Sequence, residues 1–260
     1  MDEVDFPFPV IETTRHQALA LWETLFAEGQ GHPLILGRRK EAEQMLEFFD
    51  FPPPPGFADG EAWVKAQIEK AAELSHPASL LAWQKAGIES LAALSKSTSE
   101  TSTSLSLAAD DMDLDFGDFE PKDGDWPDDP QPQPGPGLLA DFFFKRDPSA
   151  PVLLTRLPVT DWTETPALLR LGGWNDCPPA EYHIAALRSL RDRYGAIMVG
   201  CSFDQVDLRV DRGPATKEEA RALARELHLY CNDTIDQGCG TVNAYAAYLM
   251  HSRWWSFWWD

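Results

Sequence analysis

The sequence contains no apolar run that approaches the roughly 20 residues needed to span a bilayer. Its first ten residues, MDEVDFPFPV, are acidic and lack the basic start and apolar stretch of a secretory signal. From these two absences we expect a protein of the cytoplasm.

Cysteine is scarce, and its spacing indicates neither a zinc site nor a redox motif. All four cysteines lie in the C-terminal half of the chain without a Cys-x-x-Cys pair: Cys177, Cys201, Cys231 and Cys239. The glycine-containing stretch GQGHPLILG lacks the lysine of a phosphate-binding loop. We therefore predict reduced thiols, no bound metal and no cofactor.

Basic residues are few, and the charge imbalance is concentrated in one part of the chain. The formal net charge is -20. Residues 1–150 carry 11 basic and 28 acidic side chains, a net charge of -17, whereas residues 151–260 have a net charge of -3. Such a field repels nucleic acid and anionic membranes and attracts basic partners. We expect no binding to nucleic acid or to membranes.

Residues 1–94 are predicted to form a small α-rich region. Apolar residues at helical spacing predict helices over 13–28 and 38–50, and a helix or helical hairpin over 59–94. Between the first two, HPLILG predicts a short buried strand. The second helix should end at FPPPPG, because proline cannot continue a helix.

Residues 95–137 form a predicted linker that is rich in serine, proline and acidic residues. Its apolar content is too low to offset the entropy of ordering the chain. Apolar side chains alternate with its carboxylates, which suits docking onto a basic, partly apolar partner. Alternatively, it is a solvated spacer whose aromatic residues pack on the protein itself. The candidate partner-binding residues are Asp110, Asp111, Asp113, Asp115, Phe116, Asp118, Phe119, Glu120 and Trp126.

Residues 138–260 are predicted to form an α/β (α+β) domain, a sandwich with a mixed sheet. The expected element order is β-β-α-β-β-α-α-β, in which PVLLTRLPV and PALLRLG are the first two strands. In QVDLRV, polar and apolar residues alternate, which is typical of a partly exposed strand.

The final residues, WWSFWWD, are predicted to form a strand inside the sheet. Alternate residues of a strand share a face, which places Trp255, Phe257 and Trp259 on one side. The other side carries Trp254, Ser256 and Trp258. Because both sides are aromatic, we expect both to be covered.

Four segments of this region resemble a known protein family. GGWNDCP, YGA, LHLYCNDTIDQG and WSFWWD occur in the order of a bacterial family catalogued as domain of unknown function 4253, over roughly residues 150–260. The upstream HPLILG also resembles a recurrent segment of that family. The family has no established activity, but some members look like immunity proteins encoded beside secreted toxins. The resemblance therefore implies a binding role.

Two loops carry candidate site residues: Trp174, Asn175 and Asp176 in one, and Asp233, Asp236 and Gln237 in the other. If the loops converge, the three aspartates could bind a divalent metal or act as acid and base. In the simpler interpretation, they cap a helix and satisfy loop amides.

Cys177 precedes a predicted helix, whose dipole would lower the pKa of its thiol. His183 is expected to point away from the first turn of that helix, so no Cys–His nucleophile is predicted. We interpret the cysteines as structural.

The leading hypothesis is a non-catalytic immunity protein whose acidic linker occludes a basic, nucleic-acid-degrading toxin. It rests on the charge, the resemblance and the lack of a catalytic spacing. Two alternatives stay open. One is a metal-assisted hydrolase that uses the loop aspartates, and the other is an adaptor or chaperone for a secreted effector.

Overall fold

The computed structural model describes residues 5–101, 120–133, 135–139 and 147–260. In chain order, its elements are β1 (Val10–Thr14), α1 (Arg15–Ala27), β2 (His32–Gly37), α2 (Arg39–Asp50), α3 (Gly60–Ala71), α4 (Ala78–Thr101), β3 (Pro151–Leu157), α5 (Thr165–Leu168), α6 (Ala180–Tyr194), β4 (Ile197–Cys201), β5 (Gln205–Arg209), α7 (Lys217–Tyr230), α8 (Val242–His251) and β6 (Trp254–Trp258). Within these ranges, no helix has the length and apolar character needed to cross a membrane.

The strands form one mixed six-stranded sheet in the order β1-β3-β2-β4-β5-β6. β2 and β4 are parallel, and the other neighbouring strands are antiparallel. This sheet with its helices confirms the predicted α+β class. β1 and β2 come from the predicted N-terminal region, and β2 lies between β3 and β4. The sheet therefore joins the two ends of the chain.

Each face of the sheet has its own apolar cover. On the inner face, Leu34, Leu153 and Phe257 belong to the main core, which α2, α6, α7 and α8 complete. On the outer face, α1 packs Trp22 in a second cluster that includes Ile35. The predicted strand HPLILG is β2, and all of its residues are buried because neighbouring strands and both covers enclose it.

Two predictions at the level of single elements were wrong. The helix predicted over 13–28 began too early and residues 10–12 were given no structure, whereas Val10–Thr14 forms the edge strand β1. PALLRLG was predicted to be a strand, but its start belongs to α5. Pro166 lies in the first turn of that helix, where a missing amide hydrogen costs nothing, whereas a strand would lose a ladder hydrogen bond.

The terminal segment forms β6, at an edge of the sheet rather than inside it. Trp255, Phe257 and Trp259 are buried in the main core. On the outer face, Ser256 is buried, whereas Trp254 and Trp258 are half-buried. The inner side is therefore covered as predicted, and the outer side is covered in part.

Two stretches lie on the folded core, one within the predicted linker and one that spans its predicted end at residue 137. We call residues 120–130 the acidic segment. Its main-chain carbonyls at Lys122 and Asp123 accept hydrogen bonds from the amides of Val242 and Asn243, at 2.9 Å each. We call residues 131–139 the strap, of which Pro134 is not described. The strap crosses the outer face of β5 and β6 and ends in a 3-10 turn, Gly137–Leu139.

Candidate functional site

The two loops predicted to carry site residues meet at the main chain of Asp260. The Asn175 side chain donates a hydrogen bond to the Asp260 carbonyl at 3.1 Å. The Asp260 amide donates to the Asp233 carboxylate at 2.9 Å. These contacts bring together a hairpin before α6 and a turn after α7.

The hairpin, residues 172–178, is a tight turn that requires unusual backbone angles. The Cys177 amide donates to the Trp174 carbonyl at 2.9 Å. Asn175 has a φ of 44°, in the left-handed region that non-glycine residues rarely adopt. Gly172 has a φ of 89°, and a Cβ there would lie 1.9 Å from the Pro178 carbonyl oxygen. The sequence GGWND thus encodes this turn.

Aromatic stacking fixes the hairpin to the N-terminal part of the chain. Trp174 stacks on Phe203, with ring centroids 5.1 Å apart. Phe203 in turn stacks on Phe48 of α2 at 4.7 Å. The position of the predicted site residue Trp174 therefore depends on a helix far away in the sequence.

The second loop is a π-helical turn, Thr234–Cys239. Such turns are uncommon and occur often at functional sites. Gln237 donates to the Asp233 carboxylate at 2.7 Å. Asp236 lies 3.1 Å from Nε2 of His228. Both aspartates are therefore engaged in contacts within the protein.

The three loop aspartates do not form a common ligand set. Asp176 is exposed on the hairpin, whereas Asp233 is buried and Asp236 pairs with His228. Within the ranges that the structure describes, no group of three or more His, Cys, Asp or Glu residues could hold a metal ion. The hydrolase alternative gains no support from this geometry.

Beneath the hairpin, three polar side chains form a buried cluster. Cys177 Sγ lies 3.4 Å from His183 Nε2, and His183 Nδ1 lies 2.7 Å from the Tyr230 hydroxyl. The Trp259 ring packs edge-on against His183 at 5.1 Å. Cys177, His183, Tyr230 and Trp259 are all at most 2% exposed. The expectation that His183 points away from Cys177 is therefore wrong.

Burial also reverses the expected ionisation of this cluster. It raises the pKa of the Cys177 thiol, so the predicted lowering by the helix dipole is wrong. Burial lowers the pKa of His183 to about 3. A neutral thiol beside a neutral imidazole, both shielded from solvent, is a packed structural pair rather than an activated nucleophile.

The acidic segment displays carboxylates on the surface formed by α7 and α8. Asp123 pairs with Arg225. The Trp126 ring lies under Lys217 Nζ at 4.3 Å and near the Arg221 guanidinium at 5.4 Å. The carboxylates exposed along the segment are Glu120, Asp123, Asp125, Asp128 and Asp129.

The predicted partner-binding residues divide into two groups. Glu120 is exposed, and Trp126 is half-buried against α7. The other predicted partner-binding residues lie outside the described residues: Asp110, Asp111, Asp113, Asp115, Phe116, Asp118 and Phe119.

Sequence reasoning missed Asp207, the most buried carboxylate among the residues that the structure describes. It lies on the outer face of β5 and is 0% exposed. The alternation in QVDLRV suggested solvent on that face, but the strap covers it. The alternation itself gives no signal for a cover that comes from elsewhere in the chain.

Comparisons with known proteins give one match. Residues 153–260 match the family model described as Domain of unknown function (DUF4253). No curated protein and no solved structure matches the chain. The matched region carries the hairpin, the π-helical turn, the buried cluster and β6. This match supports the DUF4253 resemblance over residues 153–260.

Proposed function

We propose that this protein is a cytoplasmic immunity protein that neutralises a basic, nucleic-acid-degrading toxin by covering its active cleft, without turnover. One observation carries the proposal. The acidic segment holds five exposed carboxylates on the folded core, in a chain of net charge -20. Its main chain is fixed there by hydrogen bonds to α8.

A toxin that cleaves nucleic acid needs a basic cleft for the phosphates. A row of carboxylates matches that cleft in sign and speeds association by electrostatic attraction. Because the segment is already ordered on α7 and α8, less conformational entropy is lost when it binds. Fixed charge on an ordered surface therefore favours tight occlusion.

The loop site supports a non-catalytic role. Asp233 and Asp236 are engaged with Gln237 and His228, and burial raises the pKa of the Cys177 thiol. Each of these candidate groups has a structural task.

The first experiment captures the partner and measures its activity. The tagged full-length chain is used to isolate binding proteins from its own organism at low and moderate salt. We expect a basic protein that degrades nucleic acid, and we expect an equimolar amount of this chain to abolish that activity. A captured enzyme that stays fully active in the complex would support the adaptor alternative instead. Recovery of no partner at either salt concentration would contradict the proposal.

A charge-neutralised variant tests the surface. Asp125, Asp128 and Asp129 are replaced together by Asn. The matched control changes Glu43, Glu47 and Asp50 of α2 to Gln, Gln and Asn; all three are exposed. We expect the first variant to lose about tenfold or more in affinity and part of the salt dependence, because rim charges steer association. Equal affinity for the two variants would exclude the acidic segment from the interface.

A further inference from the structure

The outer face of β5 holds a carboxylate that is fully removed from solvent. Asp207 accepts hydrogen bonds from the Leu138 amide at 2.8 Å, from Ser256 Oγ at 2.6 Å and from Gln205 Nε2 at 3.0 Å. The Gly137 amide also donates to it. A buried carboxylate is costly unless such partners surround it. Two of the four come from consecutive main-chain amides of the strap.

The strap also fits closely against the sheet at two glycines, where no side chain stands between the two main chains. A Cβ on Gly137 would lie 2.2 Å from Gln205 Nε2 and 2.8 Å from both Asp207 Oδ1 and Ser256 Oγ. A Cβ on Gly200 of β4 would lie 2.9 Å from Cδ1 of Leu138. Gly137 therefore lets the strap approach the sheet, and Gly200 leaves space for the Leu138 side chain.

A third contact fixes the start of the strap. Gln133 is 8% exposed. Its amide nitrogen donates to Ser256 Oγ at 3.0 Å, and its amide oxygen accepts from the Tyr248 hydroxyl at 2.8 Å. The site thus recognises an amide side chain, two successive main-chain amides and one apolar side chain.

The site and its occupant come from different parts of the chain. The residues that contact Gln133, Gly137 and Leu138 in this way lie within the DUF4253 region, residues 153–260: Gly200, Gln205, Asp207, Tyr248 and Ser256. The last residue of the strap also contacts the N-terminal part of the chain, because the Leu139 carbonyl accepts a hydrogen bond from the Arg15 guanidinium. The strap lies outside that region. We propose that the outer face of β4, β5 and β6 is a peptide-binding site of the DUF4253 domain, which this chain fills with its own strap. Its ligand is a peptide with glycine followed by an apolar residue.

This site differs from strand addition at a sheet edge. The peptide lies across the face of the sheet, and the buried carboxylate of Asp207 accepts hydrogen bonds from its main-chain amides. The residue before Leu138 must therefore be glycine, because a side chain there would collide with the sheet. An emptied site would leave Asp207 without half of its partners. Any other peptide in the site therefore has to supply two amide donors to Asp207.

Hydrogen exchange of the wild-type full-length chain is the first test. We expect the amides of Gly137 and Leu138 to be protected. In Asp207→Asn they should exchange about tenfold faster or more, because Asn keeps only one acceptor oxygen and its NH2 group faces other donors. The matched control is Asp50→Asn, an exposed change on α2 that should leave strap protection unchanged. Unprotected amides at Gly137 and Leu138 in the wild-type chain would overturn the proposal, whether or not the variant folds.

Peptide binding is the second test. A labelled peptide with the strap sequence QPQPGPGLL is added to the wild-type chain and to full-length Gly137→Ala, in which the strap no longer fits. We expect it to bind Gly137→Ala about 100-fold more tightly than the wild-type chain, where the tethered strap competes at a high effective concentration. The control peptide QPQPGPALL should bind neither chain. A Gly137→Ala chain that melts cooperatively but binds both peptides equally, or neither, would refute the site.

Discussion

At the scale of single residues, burial decides what the reactive side chains can do. Cys177 and His183 lie six positions apart, and the first turn of α6 brings them within 3.4 Å. The same packing removes both groups from solvent, which raises the pKa of the Cys177 thiol and lowers that of His183. Proximity and burial therefore act in opposite directions, and burial favours the neutral form of both groups.

The pKa of His183, lowered to about 3 by burial, predicts acid sensitivity. In the unfolded chain a histidine has a pKa of about 6.5. Between these values the unfolded state binds one more proton, so stability falls as pH decreases, by up to about 1.4 kcal/mol per pH unit. We expect His183→Gln to cost about 1–3 kcal/mol at pH 7 and to flatten this acid slope. Urea unfolding from pH 7 to pH 4 measures both effects.

The control for this prediction is His16→Gln, because His16 is exposed on α1. It should leave the stability at pH 7 unchanged. An unchanged slope in His183→Gln would mean that His183 does not take up the proton on unfolding.

Thiol labelling tests burial at the cysteines. Cys177, Cys201 and Cys231 are buried, and burial raises the pKa of each thiol. Cys239 is exposed as a residue, although its thiol is shielded enough that burial raises its pKa to about 11. We expect a maleimide to label Cys239 slowly in the native protein, and all four thiols after unfolding. Mass spectrometry of the wild type and of Cys239→Ser measures this; rapid native labelling of a second cysteine would contradict it.

At the scale of elements, the two faces of β6 contribute differently to the stability of the fold. Trp255 is 0% exposed and packs edge-on against Tyr194 at 5.2 Å. Its neighbour Trp254 is half-buried on the outer face. The strand is therefore anchored mainly through its inner side chains.

Adjacent tryptophans of β6 give a matched pair of variants. Trp255→Ala should lower the free energy of unfolding by about 3–5 kcal/mol, because it leaves a cavity in the main core. Trp254→Ala should lower it by about 1–2 kcal/mol, because part of the side chain is already in water. Urea unfolding at pH 7 measures the difference. Equal losses would mean that the two faces are buried to the same degree.

Periodicity explains which elements could be predicted from the sequence. Apolar spacing identified α1, α2, β2 and β6, because each buries a continuous stripe or a complete short run. It failed at α5, where PALLRLG has the apolar content of a strand although Pro166 begins a helix. β1 was missed because VIETT is short and lies at an edge, where its pairing with β3 decides the structure.

The candidate site could be predicted only in part, because its contacts join distant residues. The loop residues could be found from their types and positions. Their meeting at Asp260 depends on where β6 ends, and the role of Asp207 depends on a strap about 70 residues away. Local patterns carry no information about such contacts.

At the scale of the whole molecule, the sheet combines the two ends of the chain. β2 lies between β3 and β4, so the strands of the DUF4253 region are not continuous without it. Phe48 of α2 also stacks on Phe203 near the site. The N-terminal residues are therefore part of the domain's structure.

A truncated chain tests this dependence. Residues 147–260 alone would expose the sheet edges of β3 and β4 and the part of the main core that β2 covers. We expect the fragment to lose more than about 5 kcal/mol and to show no cooperative urea transition, because that loss equals the whole stability of many domains. The full-length chain is the control. A cooperative transition at the same urea midpoint would show that the fragment folds independently.

Because β2 pairs with a strand that is made much later, the sheet cannot form until that strand has been synthesised. Leu34 pairs with Thr155, and at about 5–20 residues per second the ribosome needs roughly 6–24 s to make the intervening ~120 residues. During that interval the apolar strand HPLILG has left the ribosome without its partner, β3. Such a segment can pair with other chains. A chaperone that holds His32–Gly37 until β3 is made would prevent such pairing.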